Sequence, residues 1–260
     1  MFSMTSNPSI APTVAAIIIG DEILSGRTKD SNLGTIAEWA SAIGIDLREA
    51  RVVPDDEAEI IAAVNALRGR YTYVLTTGGI GPTHDDITAD AVAKAFGVPI
   101  SHHPEAVRIL EEYMAEIGRE PNEARMRMAR LPEGAVMIPN RISRAPGFRI
   151  GNVFVLAGVP KIMAAMLDEV GRMVEPGSPM LSWSVVIEAP EGDIAGPLRA
   201  IQERFPSVII GSYPREFETR FTAAVVLRSR DQALLDEAAA EVEALAVRLS
   251  SGERQTSVWT

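Results

Sequence analysis

Short unbroken apolar runs alternate along this chain with longer stretches of helical period. Val14 to Ile19 is continuously apolar and stops at Gly20, the pattern of a strand buried on both faces. Beyond a polar loop, Leu33, Ile36, Ala37 and Ala40 form one helical stripe, which predicts a helix capped by Ser31 or Asn32, running to about Ile43 and ended by Gly44. Asp46 to Val53 reads as a second strand. Ile60, Ile61, Val64 and Leu67 mark a helix closed by Gly69, and Tyr71 to Leu75 reads as a third strand. Strand, helix, strand, helix, strand in this order implies right-handed crossovers and a parallel sheet.

The third strand leads into a Gly-rich loop, after which Thr88 is placed to cap a helix over 89–96. Helices are expected from Pro104 to about Ile117 and from Asn122 to Arg130, strands over 135–138 and 153–156, and a helix over about 161–174. Two prolines and a glycine in Glu175–Pro179 interrupt every periodic pattern and mark a boundary. The expected architecture is a three-layer α/β/α sandwich over 13–174, followed by a small α+β domain over 181–250. That domain reads as strand 183–187, helix 194–205, strands 208–213 and 220–227, and helix 232–249, with loose ends before residue 13 and after 250.

Composition narrows the function. Hydrophobic residues make up 47% of the chain and aromatics only 5%, so the core is built mainly from Ala, Val, Ile and Leu, as suits buried parallel strands. A formal net charge of -10 disfavours nucleic acid as a partner. The absence of cysteine excludes disulfides, thiolate nucleophiles and Cys-ligated zinc. Apolar runs of strand length and a start without a signal-peptide pattern lead to the expectation of a cytoplasmic protein with no membrane partner.

The chemistry concentrates in Thr76-Thr77-Gly78-Gly79-Ile80-Gly81-Pro82-Thr83-His84-Asp85-Asp86. Gly78, Gly79 and Gly81 let a ligand approach backbone amides, the helix that follows adds partial positive charge, and Thr77, Thr83 and Thr88 add hydroxyls. A phosphate-bearing small molecule fits this loop; a tight strand-to-helix turn without a ligand fits it as well. Asp85 and Asp86 would repel a phosphate unless a divalent cation lies between; alternatively, they only complement the helix dipole. Parallel topology brings a second acidic pair, Asp21-Glu22, to the same sheet edge, with Asp55 and Asp56 on a third loop. Together these carboxylates are candidate ligands of Mg²⁺, Mn²⁺ or Co²⁺. His84 is a candidate proton shuttle or a solvated loop residue. No Ser-His-Asp spacing or His-Glu-x-x-His motif is present.

Gly20-Asp-Glu-Ile-Leu-Ser-Gly26 with Asp30 and Asn32, together with Thr77-Gly-Gly-Ile-Gly-Pro-Thr-His-Asp-Asp-Ile-Thr88, resembles the molybdopterin-binding (MoaB/Mog-type) domain. The particular likeness is to its branch at the N-terminus of the competence/damage-inducible protein CinA. Val53-Pro-Asp55, Leu131-Pro-Glu-Gly-Ala135 and Leu156-Ala-Gly-Val-Pro160 extend the resemblance over about 13–174, and Gly81 to Gly97 also looks like the corresponding domain of eukaryotic FAD synthases. The resemblance implies a pterin or nucleotide-phosphate site at the Gly-rich loop, joined by Asn32. It also implies metal-dependent cleavage of a pyrophosphate such as ADP-ribose or FAD, with Asp85, Asp86 and His84 in catalytic roles and Asp85, Asp86, Asp21 and Glu22 on the metal. A non-catalytic molybdopterin- or nucleotide-binding module is the alternative, and a homo-oligomer is expected in either case.

Two departures accompany the resemblance. The nicotinamide-mononucleotide deamidase domain of full-length CinA and the FAD-synthesising domain have no counterpart here, and Ala157-Gly-Val-Pro160 replaces the Pro-Gly-Pro-Pro of many relatives. The small C-terminal domain resembles the KH-like unit of short CinA relatives, but residues 181–260 contain no Gly-x-x-Gly, so packing or dimer contacts are expected of it instead of RNA binding.

Overall fold

The computed structural model describes residues 11–217 and 220–250, and the chain divides into two compact units between Ser178 and Pro179. The expected loose ends lie outside the described residues except for Ala11 and Pro12, and the Pro12 carbonyl accepts from the Asp46 amide.

The first unit begins with strand β1 (Thr13–Ile19), a single helical turn α1 (Asp21–Leu24) and helix α2 (Asn32–Ala42). It continues through β2 (Asp46–Val53), α3 (Glu57–Arg68), β3 (Tyr73–Thr77) and α4 (Thr88–Phe96). Next come β4 (Ile100–His102), α5 (Pro104–Glu116), the short α6 (Glu123–Met126), β5 (Arg130–Pro132) and β6 (Val136–Ile138). The hairpin strands β7 (Gly147–Ile150) and β8 (Val153–Leu156) and helix α7 (Pro160–Val170) complete it.

Six strands form one sheet in the order β2-β1-β3-β8-β7-β6. Its layering is written in alternate residues of the central strands. Ala15, Ile17 and Ile19 of β1, Val74 of β3 and Val153 and Val155 of β8 join one core with Ile60, Val64 and Leu67 of α3 and Ala91 and Val92 of α4. Val14, Ala16, Leu75, Phe154 and Leu156 join another with Ile36 and Ala40 of α2 and Met163 and Leu167 of α7. Helices therefore cover both faces, as a three-layer sandwich requires.

Several expectations change. The sheet is mixed: β7 pairs antiparallel with β8, because Gly151, at φ +56°, and Asn152 close a two-residue hairpin that needs no crossover. The helix expected over 122–130 stops early because β5 pairs antiparallel with β4. Neither Ser31 nor Asn32 caps α2. Asp30 does so, its carboxylate accepting hydrogen bonds from the Asn32 and Leu33 amides at 3.2 and 2.9 Å. Asp56 caps α3, accepting from the Ala58 and Glu59 amides.

The second unit runs β9 (Leu181–Ile187), α8 (Glu191–Arg204), β10 (Ile209–Phe217), β11 (Arg220–Ser229) and α9 (Gln232–Ser250). Its antiparallel sheet has the order β10-β11-β9 and its own core. Val225 and Leu227 of β11 pack there with Ile194 and Ile201 of α8 and Ala238 and Val242 of α9. Among the described residues, no helix is long and apolar enough to cross a membrane.

Candidate functional site

β1 is the topological switch of the first unit. It pairs with β2 on one side and β3 on the other, both parallel, and the connecting helices α2 and α3 lie on opposite faces. The switch point between the carboxyl ends of β1 and β3 is the crevice position at which open α/β sheets hold their ligands. Gly20 to Glu22 leave β1 there, and Gly78 to Asp86 leave β3.

The Gly-rich loop is held by its own backbone. Gly78 stands at φ +107° and donates its amide to the Leu156 carbonyl, and a Cβ on it would overlap the Ile19 carbonyl oxygen. Gly158, at the end of β8, packs against the Gly78 Cα. Thr88 is buried and does not cap α4. Its hydroxyl donates to the Gly78 carbonyl and its amide to the Gly79 carbonyl, both at 3.0 Å, so it pins the loop and leaves no hydroxyl proton for a phosphate. Asn32 is 5% exposed and ties three segments together: its Nδ2 donates to the Gly158 carbonyl at 2.8 Å and, more weakly, to Thr77 Oγ1 at 3.4 Å. Asn32 Oδ1 and Thr76 Oγ1 are buried without a partner. Both are open to a donor N–H or O–H, and an unpartnered buried acceptor is costly.

The loop acids divide by role. Asp86 turns inward and accepts from the Thr83 amide at 2.8 Å and from the Thr83 hydroxyl, closing the turn beneath Gly81. Asp85 is exposed, and the nearby Thr83 hydroxyl, its own amide and His84 hold its carboxyl below the usual range. The His84 side chain is almost wholly in solvent, with Nδ1 4.0 Å from Asp85 Oδ1.

Asp55 sits between the two acidic groups. Its Oδ2 accepts from the Asp21 amide at 3.0 Å. Burial raises its pKa above the ordinary carboxylate value, the Asp21 amide partly counters this, and the negative charges of Asp21, Glu22 and Asp85 raise it further. The structure thus brings Asp21, Glu22 and Asp85 each within electrostatic reach of Asp55, although no group of three or more His, Asp or Glu side chains stands in metal-holding geometry among the described residues.

A carboxyl whose folded pKa is raised keeps its proton longer in the folded state than in the unfolded one. Stability therefore falls as pH rises from the unfolded pKa through the folded one. Asp55→Asn keeps an acceptor for the Asp21 amide and removes the charge. It is expected to raise the melting temperature of metal-free protein by about 1–2 °C at neutral pH, a small effect because solvent screens the site, and to change nothing at a pH where Asp55 is protonated. A melting series across pH checks this.

On the other side of the loop lie side chains that local sequence patterns did not connect. Arg130 grips both carboxylate oxygens of Asp90 at 2.6 and 3.2 Å, and Arg127 stands 3.9 Å from the same carboxylate. These residues line a small depression with Gly79 and Gly81. Arg127 lines this depression, while Lys94 is paired with Glu57 and Arg125 donates to the Glu120 carbonyl.

Comparisons with known proteins show the family and the fold. A family model described as a probable molybdopterin binding domain matches residues 15–179, and one described as the FAD synthase middle domain matches 179–249. A protein of Pyrobaculum arsenaticum is 36% identical over 211 residues, covering 78% of this chain and 80% of its own length. A CinA-like protein of Syntrophotalea carbinolica is 38% identical over 160 residues, which is 60% of this chain but only 39% of that protein. The crystal structure of the protein CinA from Thermoplasma acidophilum, described as of unknown function, superposes with a TM-score of 0.58 at 32% identity, covering 63% of this chain and 98% of that one. The chain belongs to the molybdopterin-binding domain family, as a CinA-type, MoaB/Mog-like member.

Proposed function

We propose that this chain hydrolyses the pyrophosphate bond of a nucleotide of the ADP-ribose or FAD type in a metal-dependent reaction at the β1/β3 crevice. The supporting observation is geometric: the Asp21-Glu22 turn and the Gly78–Asp86 loop leave the adjacent parallel strands β1 and β3 at one sheet edge, and Asp55 is tied to the first of them through the Asp21 amide. Unrelieved negative charge next to a phosphate site is what a hard divalent cation neutralises, and a donor set made only of carboxylates suits Mg²⁺ or Mn²⁺. Asp85, Asp21, Glu22 and Asp55 would hold it once their side chains close on it, since they do not stand in metal-holding geometry without it; Asp86 holds the turn that carries Asp85.

When bound, the cation supplies charge neutralisation of the phosphates and a more acidic water. The chain's own contribution is orientation. The Gly78 amide is taken by the Leu156 carbonyl, so the Gly79–Gly81 backbone brings the phosphate against the loop, and Asn32 Oδ1 accepts from a ligand N–H or O–H. The exposed His84 is placed to exchange a proton with solvent.

Purified protein incubated with ADP-ribose or FAD and Co²⁺, Mn²⁺ or Mg²⁺ is expected to release AMP, resolved by chromatography, and to stop on addition of chelator. Absence of AMP with every metal overturns the proposal. Tight binding of a pterin or nucleotide without turnover establishes the second reading, a binding module, which the description of the family model itself favours.

A further inference from the structure

A larger cavity lies between helix α5 and the loop 139–146 that joins β6 to β7, with a volume of about 330 Å³. Small-molecule sites occupy roughly 300–1,000 Å³. β7 is antiparallel to both β6 and β8, and β8 is parallel to β3, so this loop leaves the sheet at the same edge as the Gly-rich loop. Pro146 lines both the cavity and the depression beside Gly79 and Gly81. Asn140, 5% exposed, sets the loop's shape. Its Nδ2 donates to the Ser143 hydroxyl at 2.6 Å and the Ala145 carbonyl at 2.8 Å, and its Oδ1 accepts from the Ile142 and Ser143 amides. Arg144 stands in this loop at φ 62°, the one non-glycine residue with positive φ among the described residues. Glycine or asparagine adopts that conformation with less strain, and an outlier that persists points to a use for its side chain. Three of the five charged side chains on the cavity wall are engaged, Arg108 by Glu105 and Glu112 and Arg141 by Glu169. The other two, Arg144 and Glu116, have no side-chain partner among the described residues, and neither has the Tyr113 hydroxyl. Ile109, Met137, Pro139 and Pro146 supply apolar wall.

A guanidinium only donates hydrogen bonds and a carboxylate only accepts them. A ligand that serves both and also offers apolar faces is a heteroaromatic ring with an amino group and ring nitrogens at its rim. We propose that this cavity is an adenine site, in which Glu116 accepts from the exocyclic amino group and Arg144 donates to a ring nitrogen. The assignment rests on the nucleotide reading of the β1/β3 crevice and adds to it the group by which a substrate is chosen. Adenosine is the half that ADP-ribose and FAD share, so a chain that recognises this half leaves the other free to vary. Arg144 is then a specificity-determining residue, held in a strained conformation for the base and not for the fold.

Adenosine itself is the probe, since it carries no phosphate and needs no cation. Met137 lines the cavity, so the full chain labelled with ¹³C in its methionine methyl groups reports occupancy by NMR, the Met137 resonance being assigned with Met137→Leu. Adenosine is expected to shift that resonance saturably. Inosine, in which a carbonyl replaces the amino group, is expected to bind roughly fivefold more weakly or worse, because Glu116 is left facing an acceptor. Arg144→Gly is expected to lower adenosine affinity by a similar factor yet to melt within about 2 °C of wild type, relief of strain offsetting the freer unfolded chain. Glu116→Gln is expected to narrow the gap between adenosine and inosine, since an amide both donates and accepts. Three results overturn the proposal: a Met137 methyl that ignores adenosine, equal wild-type affinities for adenosine and inosine, or Arg144→Gly binding adenosine as wild type does. Adenosine binding without AMP release in the hydrolysis assay leaves the cavity assigned and removes the hydrolysis, and AMP release without adenosine binding does the reverse.

Discussion

Gly78→Ala is expected to unfold the first unit under conditions where a comparable glycine elsewhere is replaced at little cost. Two penalties meet at this position. Its φ of +107° lies where a side chain is strained by roughly 1–3 kcal/mol. The new methyl would also press on the Ile19 carbonyl, which is backbone in the central strand and has no rotamer to yield, at a further cost of about 1–3 kcal/mol. Together these approach half of a typical domain's stability. Gly97 is the control: it stands at φ +69° with nothing within 4 Å of a Cβ, so Gly97→Ala is expected to cost only about 1 kcal/mol. Urea denaturation of the two variants against wild type checks the contrast. Equal midpoints for Gly78→Ala and Gly97→Ala would show that β1 and the loop can separate without penalty.

The second large effect concerns the acids. Under the proposed hydrolysis, Asp85→Asn is expected to lower kcat/KM roughly 10²–10³-fold at fixed metal, because a cation's several kcal/mol of charge stabilisation convert at about 1.4 kcal/mol per tenfold. Part of the loss should be recovered at higher metal concentration. Asp86→Ala should behave differently. It breaks the turn that Thr83 closes, so activity falls through misplacement of the loop, and added metal does not restore it. Metal titrations of both variants, followed by AMP release, separate the roles. A parallel response of the two to metal would refute this division of labour.

Much of this site was legible in the sequence because its parts are local. Val14 to Ile19 announces a central strand by having no polar face, and the glycines of the loop mark positive φ where the structure has it, at Gly78 and Gly79. What stayed hidden depends on partners distant in sequence. Thr88 looks like a helix cap until the Gly78 carbonyl, ten residues earlier, is seen to take its hydroxyl. Asp90 and Arg130 are forty residues apart and join only because α4 and β5 pack together. The sorting of Asp85 from Asp86 was also invisible, since two adjacent identical residues carry no sign of which one turns inward. The antiparallel hairpin of β7 and β8 had a visible signal in Gly151-Asn152, a pair that closes tight turns, but the expectation of crossovers hid it.

The central position of β1 also bears on how the protein breathes. Hydrogen-bonded on both edges and packed on both faces, its amides have no local opening that exposes them, so those from Ala15 to Ile18 should exchange with deuterium only when the whole first unit unfolds. Since Gly20 and the Ile19 carbonyl continue directly from that strand into the crevice, no partly open form of the unit keeps the crevice while loosening its core. Proteolytic or thermal loss of ligand binding in this unit should therefore follow global unfolding in a single step.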